Sequence, residues 1–428
     1  MEAATDSVET PTPGTLPAAG APPAPRALPV PGGAPARGRR RSARRERLSP
    51  LPVSLAHVRF AAAVYLGTRV LLLLVALLDH ELRHQRLITE LANWDGMWFR
   101  ALARHGYPDH VPPGQTTLGF FPLYPLTMSA VAHVFTSTDI GGVTIAGVIV
   151  SGLGGLVATV LVQQLATGWW GEAAGRRATL LFCLFPGSIV FSMVYSEGLL
   201  LPLAAGCLLA LERRRWLLAG ALAGAATAVQ PTGLAIIPVC AVSAGLELRR
   251  RGWGSRAARR SLLAPALSLT GVLSFSAFLW AWAGTPLATY QAQHRGWEEK
   301  TDPFALVHQA STLIGQISLA HFNHPTINLN LPLGLIGAAV LGWGLVLLVR
   351  HRGGVSAEAM VWTFVIGFLA LTSEYVPPNP RMLITAFPAV LILAKRYKGR
   401  VGVCLLVGSG VLLAGLSALT FVAHTLRP

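Results

Sequence analysis

The segment Asn93-Trp94-Asp95-Gly96-Met97-Trp98-Phe99 sets one carboxylate among aromatic side chains, just after the first long apolar run of the chain. Tryptophan and tyrosine settle at the headgroup level of a membrane, with apolar bodies and polar tips. A carboxylate held at that level can reach a lipid-linked substrate. Asn93 is placed to cap a short helix, and Gly106 with Pro108 to end it. Within that helix Trp94, Trp98 and Leu102 recur every four residues and would turn one apolar stripe to the bilayer. A plain aromatic anchor with a solvated Asp accounts for the tryptophans. It does not account for the other polar residues that fall on the same side of the membrane.

The elements that must position this segment are membrane helices. The chain has 428 residues, 52% hydrophobic and only 13% charged, and its apolar runs approach a span's length. This is the composition of an all-α polytopic membrane protein. A net charge of +16 would suggest nucleic acid in a soluble protein, but here the Arg clusters lie between apolar runs and set orientation, so no nucleic-acid partner is expected. Cys183, Cys207, Cys240 and Cys404 all lie inside apolar runs without metal-ligand spacing, and read as small buried hydrophobes. Residues 1–50 are rich in Pro, Ala and Gly and end in a basic cluster, Arg37 to Arg47. They read as a disordered cytoplasmic tail ahead of a transmembrane domain over residues 51–428. The heavy Ala, Gly and Arg usage points to a high-GC bacterial source.

The positive-inside rule gives a consistent topology. A first span, Phe60 to Leu78, delivers Asp79 to Gly142 outside. Pro122 and Pro125 break that loop before Leu126 to Phe135, which is short for a span and reads as a second interfacial helix. Spans follow at Val143–Ala166, Ala178–Val194, Gly198–Leu211, Trp216–Val229, Leu234–Leu248, Ser261–Ala283, Leu331–Val349, Ala359–Thr372, Leu383–Ala394 and Val401–Val422. The total is about eleven, with the N-terminus cytoplasmic and a second long outside loop at Gly284 to Asn330. Every strongly basic loop then faces the cytoplasm. Counting Leu126 to Phe135 as a full span would put Arg213 to Arg215 and the Arg249 cluster outside, so that alternative is rejected. On this count Asp95, Tyr195-Ser196-Glu197, Gln230-Pro231-Thr232, His294 to Asp302, His321 to His324 and Glu374 to Arg381 all meet the external face of the plasma membrane. Singly, Glu197 could mark a helix end and Pro377-Pro378-Asn379-Pro380 a turn. Jointly they describe a site.

These residues resemble the PIG-V mannosyltransferases, a branch of the GT-C glycosyltransferases whose eukaryotic members build glycosylphosphatidylinositol anchors. The resemblance runs from about Tyr65 to Lys395 and rests on Asn93-Trp94-Asp95-Gly96, Gly106-Tyr107 and Phe120-Phe121-Pro122-Leu123-Tyr124-Pro125. Phe185-Pro186-Gly187-Ser188 with Tyr195-Ser196-Glu197 follows, and Arg381 and Phe387-Pro388 complete it less specifically. It implies a GT-C-like bundle with interfacial helices and the catalytic acidic residue in its first outside loop. It also implies a polyprenyl-phosphate-mannose donor, a glycolipid or other glycan acceptor, and inversion from a β-linked donor to an α-linked mannoside. The family usually has a basic residue near Gln230, where this chain has Gln230-Pro231-Thr232-Gly233. An amide can hydrogen-bond a phosphate but supplies no charge, which shifts the expected phosphate contact toward Arg381.

Transfer from a lipid phosphate needs a base for the acceptor hydroxyl and donors for the departing phosphate. Asp95 is the candidate base and Arg381 the candidate phosphate ligand through its paired donors, with His294, Arg295 and Lys300 in the second outside loop as further candidates. Tyr195, Glu197 and Gln230 would orient sugar hydroxyls, and Trp94 and Tyr124 complete the substrate-binding candidates. No Gly-rich phosphate loop follows a strand, and a nucleotide sugar is not available at an external site. No metal is expected: His321 and His324 have helical spacing but read as exposed loop histidines. Arg69, inside the first span, would cost about 2.5–3.5 kcal/mol on insertion scales. It could face the bundle and touch a lipid phosphate, snorkel, or bond between helices. The rival class is a transporter or flippase, which calls for polar, interrupted helices near the midplane and repeated halves; a transferase for another sugar such as arabinose, and a non-catalytic scaffold, are the others.

Overall fold

The computed structural model describes residues 55–83, 87–297, 300–317, 328–351, 354–374 and 376–421. The expected tail over residues 1–50 and the pair His321 and His324 lie outside the described residues. Regular structure among the described residues is helical, apart from one isolated antiparallel bridge between Thr301 and Ser373.

The first long helix, α1 (Leu55–Arg83), leads through a turn of helix at Leu87–Glu90 into α2 (Asp95–His105) and α3 (Leu123–Phe135). Then come α4 (Ile140–Trp170), α5 (Glu172–Leu184), α6 (Glu197–Glu212), α7 (Trp216–Ala226) and α8 (Ile236–Arg251). Two six-residue helices precede α9 (Thr270–Ala283), and α10 (Ala288–Gly296) and α11 (Ala305–Ile317) lie in the second predicted outside loop. The remainder is α12 (Asn330–Arg350), α13 (Ala357–Leu371), α14 (Pro380–Thr385), α15 (Phe387–Arg396) and α16 (Gly399–Phe421).

Each predicted span coincides with one of these helices or with a broken pair. Among the described residues six segments are long and apolar enough to cross a membrane, or seven if a bent pair counts as one span. That pair is α5 with the 3-10 turn Pro186–Ser192, bent by 69° where Pro186 follows Phe185. Proline removes a backbone donor and clashes with the preceding turn, so the run expected as one span over Ala178–Val194 breaks there. The other expected spans are short: α6 has 16 residues, α7 11, α13 15 and α15 10. A helix needs roughly 20 residues to cross a bilayer's hydrocarbon core, so length alone does not give the expected eleven.

The packing is that of a chain whose solvent is lipid. α1 exposes Leu66, Val70 and Leu74, and α16 exposes Val403, Val407 and Val411, while a second apolar set fills the interior. Arg69 belongs to that interior. Its guanidinium donates to the Ser188 carbonyl at 2.6 Å, to Ser192 Oγ and Ser188 Oγ at 3.0 Å each, and lies 4.9 Å from the Tyr65 ring centre. Of the readings open for it, interhelical bonding is the one observed: Arg69 ties α1 to the 3-10 turn after α5.

Two helices and one helix pair share a charge pattern along their axes. α6 begins at Glu197 and is followed by Arg213 to Arg215; α8 follows Gln230 and ends in Arg249 to Arg251; the α14–α15 pair begins beside Arg381 and ends in Lys395 and Arg396. At 1.5 Å per residue the two ends of α6 stand roughly 24 Å apart. At the far end Arg214 and Arg251 both pair with Glu247. The polar candidates and the basic loops therefore occupy opposite ends of the same helices.

Candidate active site

Asp95 opens α2, and the turn before it is unusual. The Gly96 N–H donates to the Asn93 carbonyl at 3.1 Å, closing a β-turn whose second residue, Trp94, has φ 58° and ψ −121°. Those angles match the first central residue of a type II′ turn, a position glycine favours. Asn93 does not cap the helix as expected. Its amide donates to Glu90 Oε2 at 2.8 Å, and α2 starts without a side-chain cap. Gly106 does end the helix, with positive φ and its N–H on the Leu102 carbonyl at 2.9 Å.

The aromatic stripe also differs from expectation. Trp98 stacks on Phe120 at 6.0 Å and meets the Trp297 ring edge at 5.3 Å, and Leu102 is buried. The stripe packs against protein because the second predicted outside loop folds over the first. From the second loop Gln293 Nε2 donates to the Gly119 carbonyl at 2.7 Å, and from the end of α9 Trp282 Nε1 donates to the Tyr107 carbonyl at 3.1 Å. Met97 is the exposed apolar residue of α2.

Arg381 arrives from the other end of the chain. Asn379 caps α14, its Oδ1 accepting the Met382 N–H at 3.0 Å, and this fixes Arg381 in the first turn. Arg381 Nη1 pairs with Asp95 Oδ2, and its Nε faces Glu197 Oε1 at 3.6 Å. Its guanidinium lies 5.4 Å from the centre of the Tyr195 ring. Glu197 comes to this point through a backbone crossing: a Cβ on Gly198 would collide with Ser151 of α4, so only glycine lets the two helices approach there. Gln230 lies beside Glu197. Its Oε1 accepts from the Ser196 hydroxyl, and its Nε2 donates to Thr232 Oγ1 at 2.5 Å.

Five of the ten candidates therefore meet: Asp95, Tyr195, Glu197, Gln230 and Arg381. Burial, with Asp95 next, holds the Tyr195 phenol protonated far past neutral pH, so it serves as a ring and a hydroxyl and carries no charge. Trp94 stands in the turn at Asp95. Tyr124 is fully buried, its hydroxyl bonded to Ser151 Oγ at 2.7 Å and the Gly147 carbonyl at 3.1 Å. Ser151 in turn donates to the Tyr195 carbonyl at 2.9 Å. Tyr124 thus supports the Tyr195 turn from beneath and is closed to a ligand, a correction to its expected place among the substrate contacts. His294, Arg295 and Lys300 are exposed, and among the described contacts none of them reaches Asp95 or Arg381. Ser151, Ser196 and Gly198, which are not among the ten candidates, prove to build the site; small residues carry no signal of their own without the contacts they permit.

Among the described residues no group of three or more His, Cys, Asp or Glu side chains could hold a metal. A cavity of about 240 Å³ lies behind the same Pro377–Pro380 segment, between Pro186, Ile189, Asn330, Ser417 and Thr420. Its described lining carries no charged side chain, which sets it apart from the Asp95–Arg381–Glu197 cluster.

Residues 74–245 match the family described as mannosyltransferase (PIG-V). The match contains Asp95, Tyr195, Glu197 and Gln230 and ends before Arg381. It agrees with the resemblance drawn from the motifs. Among solved structures the chain is similar to ArnT from Cupriavidus metallidurans bound to undecaprenyl phosphate, at 16% identity and TM-score 0.50, over 81% of this chain and 63% of that one. It is also similar to the Archaeoglobus fulgidus oligosaccharyltransferase in its apo form, at 14% identity and TM-score 0.45, over 82% of this chain and 56% of that one. The chain thus spans less than two thirds of the length of either. No curated protein matches it. The all-helical fold with long apolar helices expected from the sequence is the fold observed among the described residues, and it is similar to that of ArnT.

Proposed function

We propose that this protein is a membrane mannosyltransferase that moves mannose from a polyprenyl-phosphate-mannose donor to a glycolipid or other glycan acceptor at the external face of the plasma membrane. The observation that carries the reading is the convergence of Asp95, Glu197 and Arg381, from three distant parts of the chain, at the ends of helices whose other ends carry the basic loops. Positive loops stay cytoplasmic, which turns the site outward, where a lipid-linked donor is available.

In the proposed reaction Asp95 takes the proton of the acceptor hydroxyl as its oxygen attacks the anomeric carbon. The carbon–oxygen bond to phosphate breaks, and the electron pair leaves with the polyprenyl phosphate. Arg381 offers its fork to that phosphate as negative charge builds on it. Gln230 borders the cluster with an amide, a group that binds sugar hydroxyls, while the buried Tyr195 lays its ring against the Arg381 guanidinium. A transporter would use polar groups at mid-membrane; this charged cluster lies at helix ends.

The test is transfer of radiolabel in membranes containing the protein, with polyprenyl-phosphate mannose compared against polyprenyl-phosphate arabinose and glucose. Labelled product from the mannosyl donor alone supports the reading. Label that stays on its lipid with every donor overturns it.

A further inference from the structure

The guanidinium of Arg381 meets its two carboxylates on different nitrogens. Nη1 serves Asp95, while Nε faces Glu197. The carboxylates differ in surroundings. The Glu197 side chain is 5% exposed and the Asp95 side chain 35%, so Glu197 is walled in and Asp95 lies open to an arriving ligand. Glu197 Oε2 has no hydrogen-bond partner, which leaves Arg381 as its principal counter-charge. A carboxylate oxygen that already accepts a guanidinium N–H has that lone pair occupied and cannot also accept the proton of an acceptor hydroxyl there. In this state the candidate base is covered by the candidate phosphate ligand.

We propose that the donor phosphate uncovers Asp95 by taking the Nη side of Arg381, and that Glu197 is the positioning residue that makes the exchange possible by holding Nε throughout. The proposal rests on the assignment of Asp95 as base and Arg381 as phosphate ligand. One ionic hydrogen bond, Nη1 to Asp95, is exchanged for another, Nη1 to a phosphate oxygen, and no covalent bond changes. The freed carboxylate then faces the acceptor hydroxyl. Before the donor is seated Asp95 Oδ2 is taken by Arg381, so that oxygen activates the acceptor only when the sugar is in place to receive it. The Tyr195 ring supports the exchange as a face along which a guanidinium keeps contact while its partners change.

Asp95 and Glu197 carry the same charge but have opposite roles here. Simple repulsion predicts that neutralising either will tighten phosphate binding. The exchange predicts opposite signs. Asp95→Asn removes a competitor and should tighten binding about two- to fivefold, the scale of a partly exposed ion pair. Glu197→Gln removes the anchor, lets Arg381 close fully on Asp95, and should weaken binding by a similar factor.

The experiment measures binding of farnesyl phosphate to the full chain in phosphatidylcholine nanodiscs, by calorimetry, for wild type, Asp95→Asn, Glu197→Gln, the double variant and Arg381→Ala. Each variant is first shown to elute and melt as a folded protein. Tighter binding for Asp95→Asn, weaker for Glu197→Gln and recovery in the double variant support the proposal. The same sign for both single variants, or no change in either, overturns it. Should Glu197→Gln not fold, an unchanged affinity for Asp95→Asn still overturns it. Arg381→Ala binding like wild type refutes the phosphate assignment itself, an outcome distinct from failure of the exchange.

Discussion

Gly187 and Pro380 are in backbone contact: a Cβ placed on Gly187 would collide with the Pro380 carbonyl oxygen, and with the Ile384 side chain beyond it. The break after α5 is therefore packed directly against the residue before Arg381. Gly187→Ala should push the Pro377–Arg381 segment away from Asp95 and cost about 1–3 kcal/mol of overpacking. Sugar transfer at equal membrane abundance should fall at least tenfold. Gly245→Ala, in a helix where nothing lies within 4 Å, is the control and should transfer normally. Equal activity in the two variants would show that the segment is not held by this contact.

Asp95→Asn keeps the side-chain shape and loses the basic carboxylate. Removal of a general base lowers rates by about 100-fold or more, with insertion and yield unchanged. Transfer by the variant is to be compared with wild type in membranes of matched content. Near-normal turnover would reject Asp95 as the base.

Arg381 tests fork against charge. Arg381→Lys keeps the charge and loses the paired donors, so transfer should fall about tenfold, and Arg381→Ala further, about 100-fold. Gln230 lies in the same cluster through Ser196 and Glu197. Gln230→Arg should therefore return part of the activity of Arg381→Ala by restoring a cation to the site. Wild-type rates in both Arg381 variants would remove it from phosphate binding.

Orientation is open to labelling. Single cysteines at Asp95, Gln230 and Arg381 should react with an impermeant maleimide in intact cells, and those at Arg214 and Lys398 only after permeabilisation. Three native cysteines are buried, and the exposed Cys404 must be replaced first. Labelling of Arg214 but not Asp95 from outside would invert the proposed topology.

The turn at Trp94 separates backbone from ring. A non-glycine residue with φ 58° stores about 1–2 kcal/mol that glycine would not. Trp94→Gly relieves that strain and Trp94→Ala does not, while both lose the ring. Trp94→Gly should retain several-fold more transfer than Trp94→Ala if the turn presents Asp95. Equal losses would place the contribution in the indole.

The sequence by itself determined what is local or additive along the chain. Apolar length gave the helices, and predicted spans such as Val143–Ala166 and Leu331–Val349 lie inside α4 and α12. Charge counting put Asp95, Glu197, Gln230 and Arg381 on one side and the Arg clusters on the other, and the same residues occupy opposite ends of α6 and α8. Partnership was decided only by tertiary structure. Asp95 and Arg381 meet across a sequence separation of 286 residues, and no pattern near either one encodes the other. The direction of the Trp98 stripe, the diversion of Asn93 to Glu90 and the burial of Tyr124 were settled in the same way. Helical period says which residues share a face, but whether lipid or protein covers it depends on which distant segment packs there, and here it was Trp297 from the second predicted outside loop. Close approaches at Gly187 and Gly198 are likewise unreadable from the chain, since a glycine announces permission for a contact and only the fold supplies it.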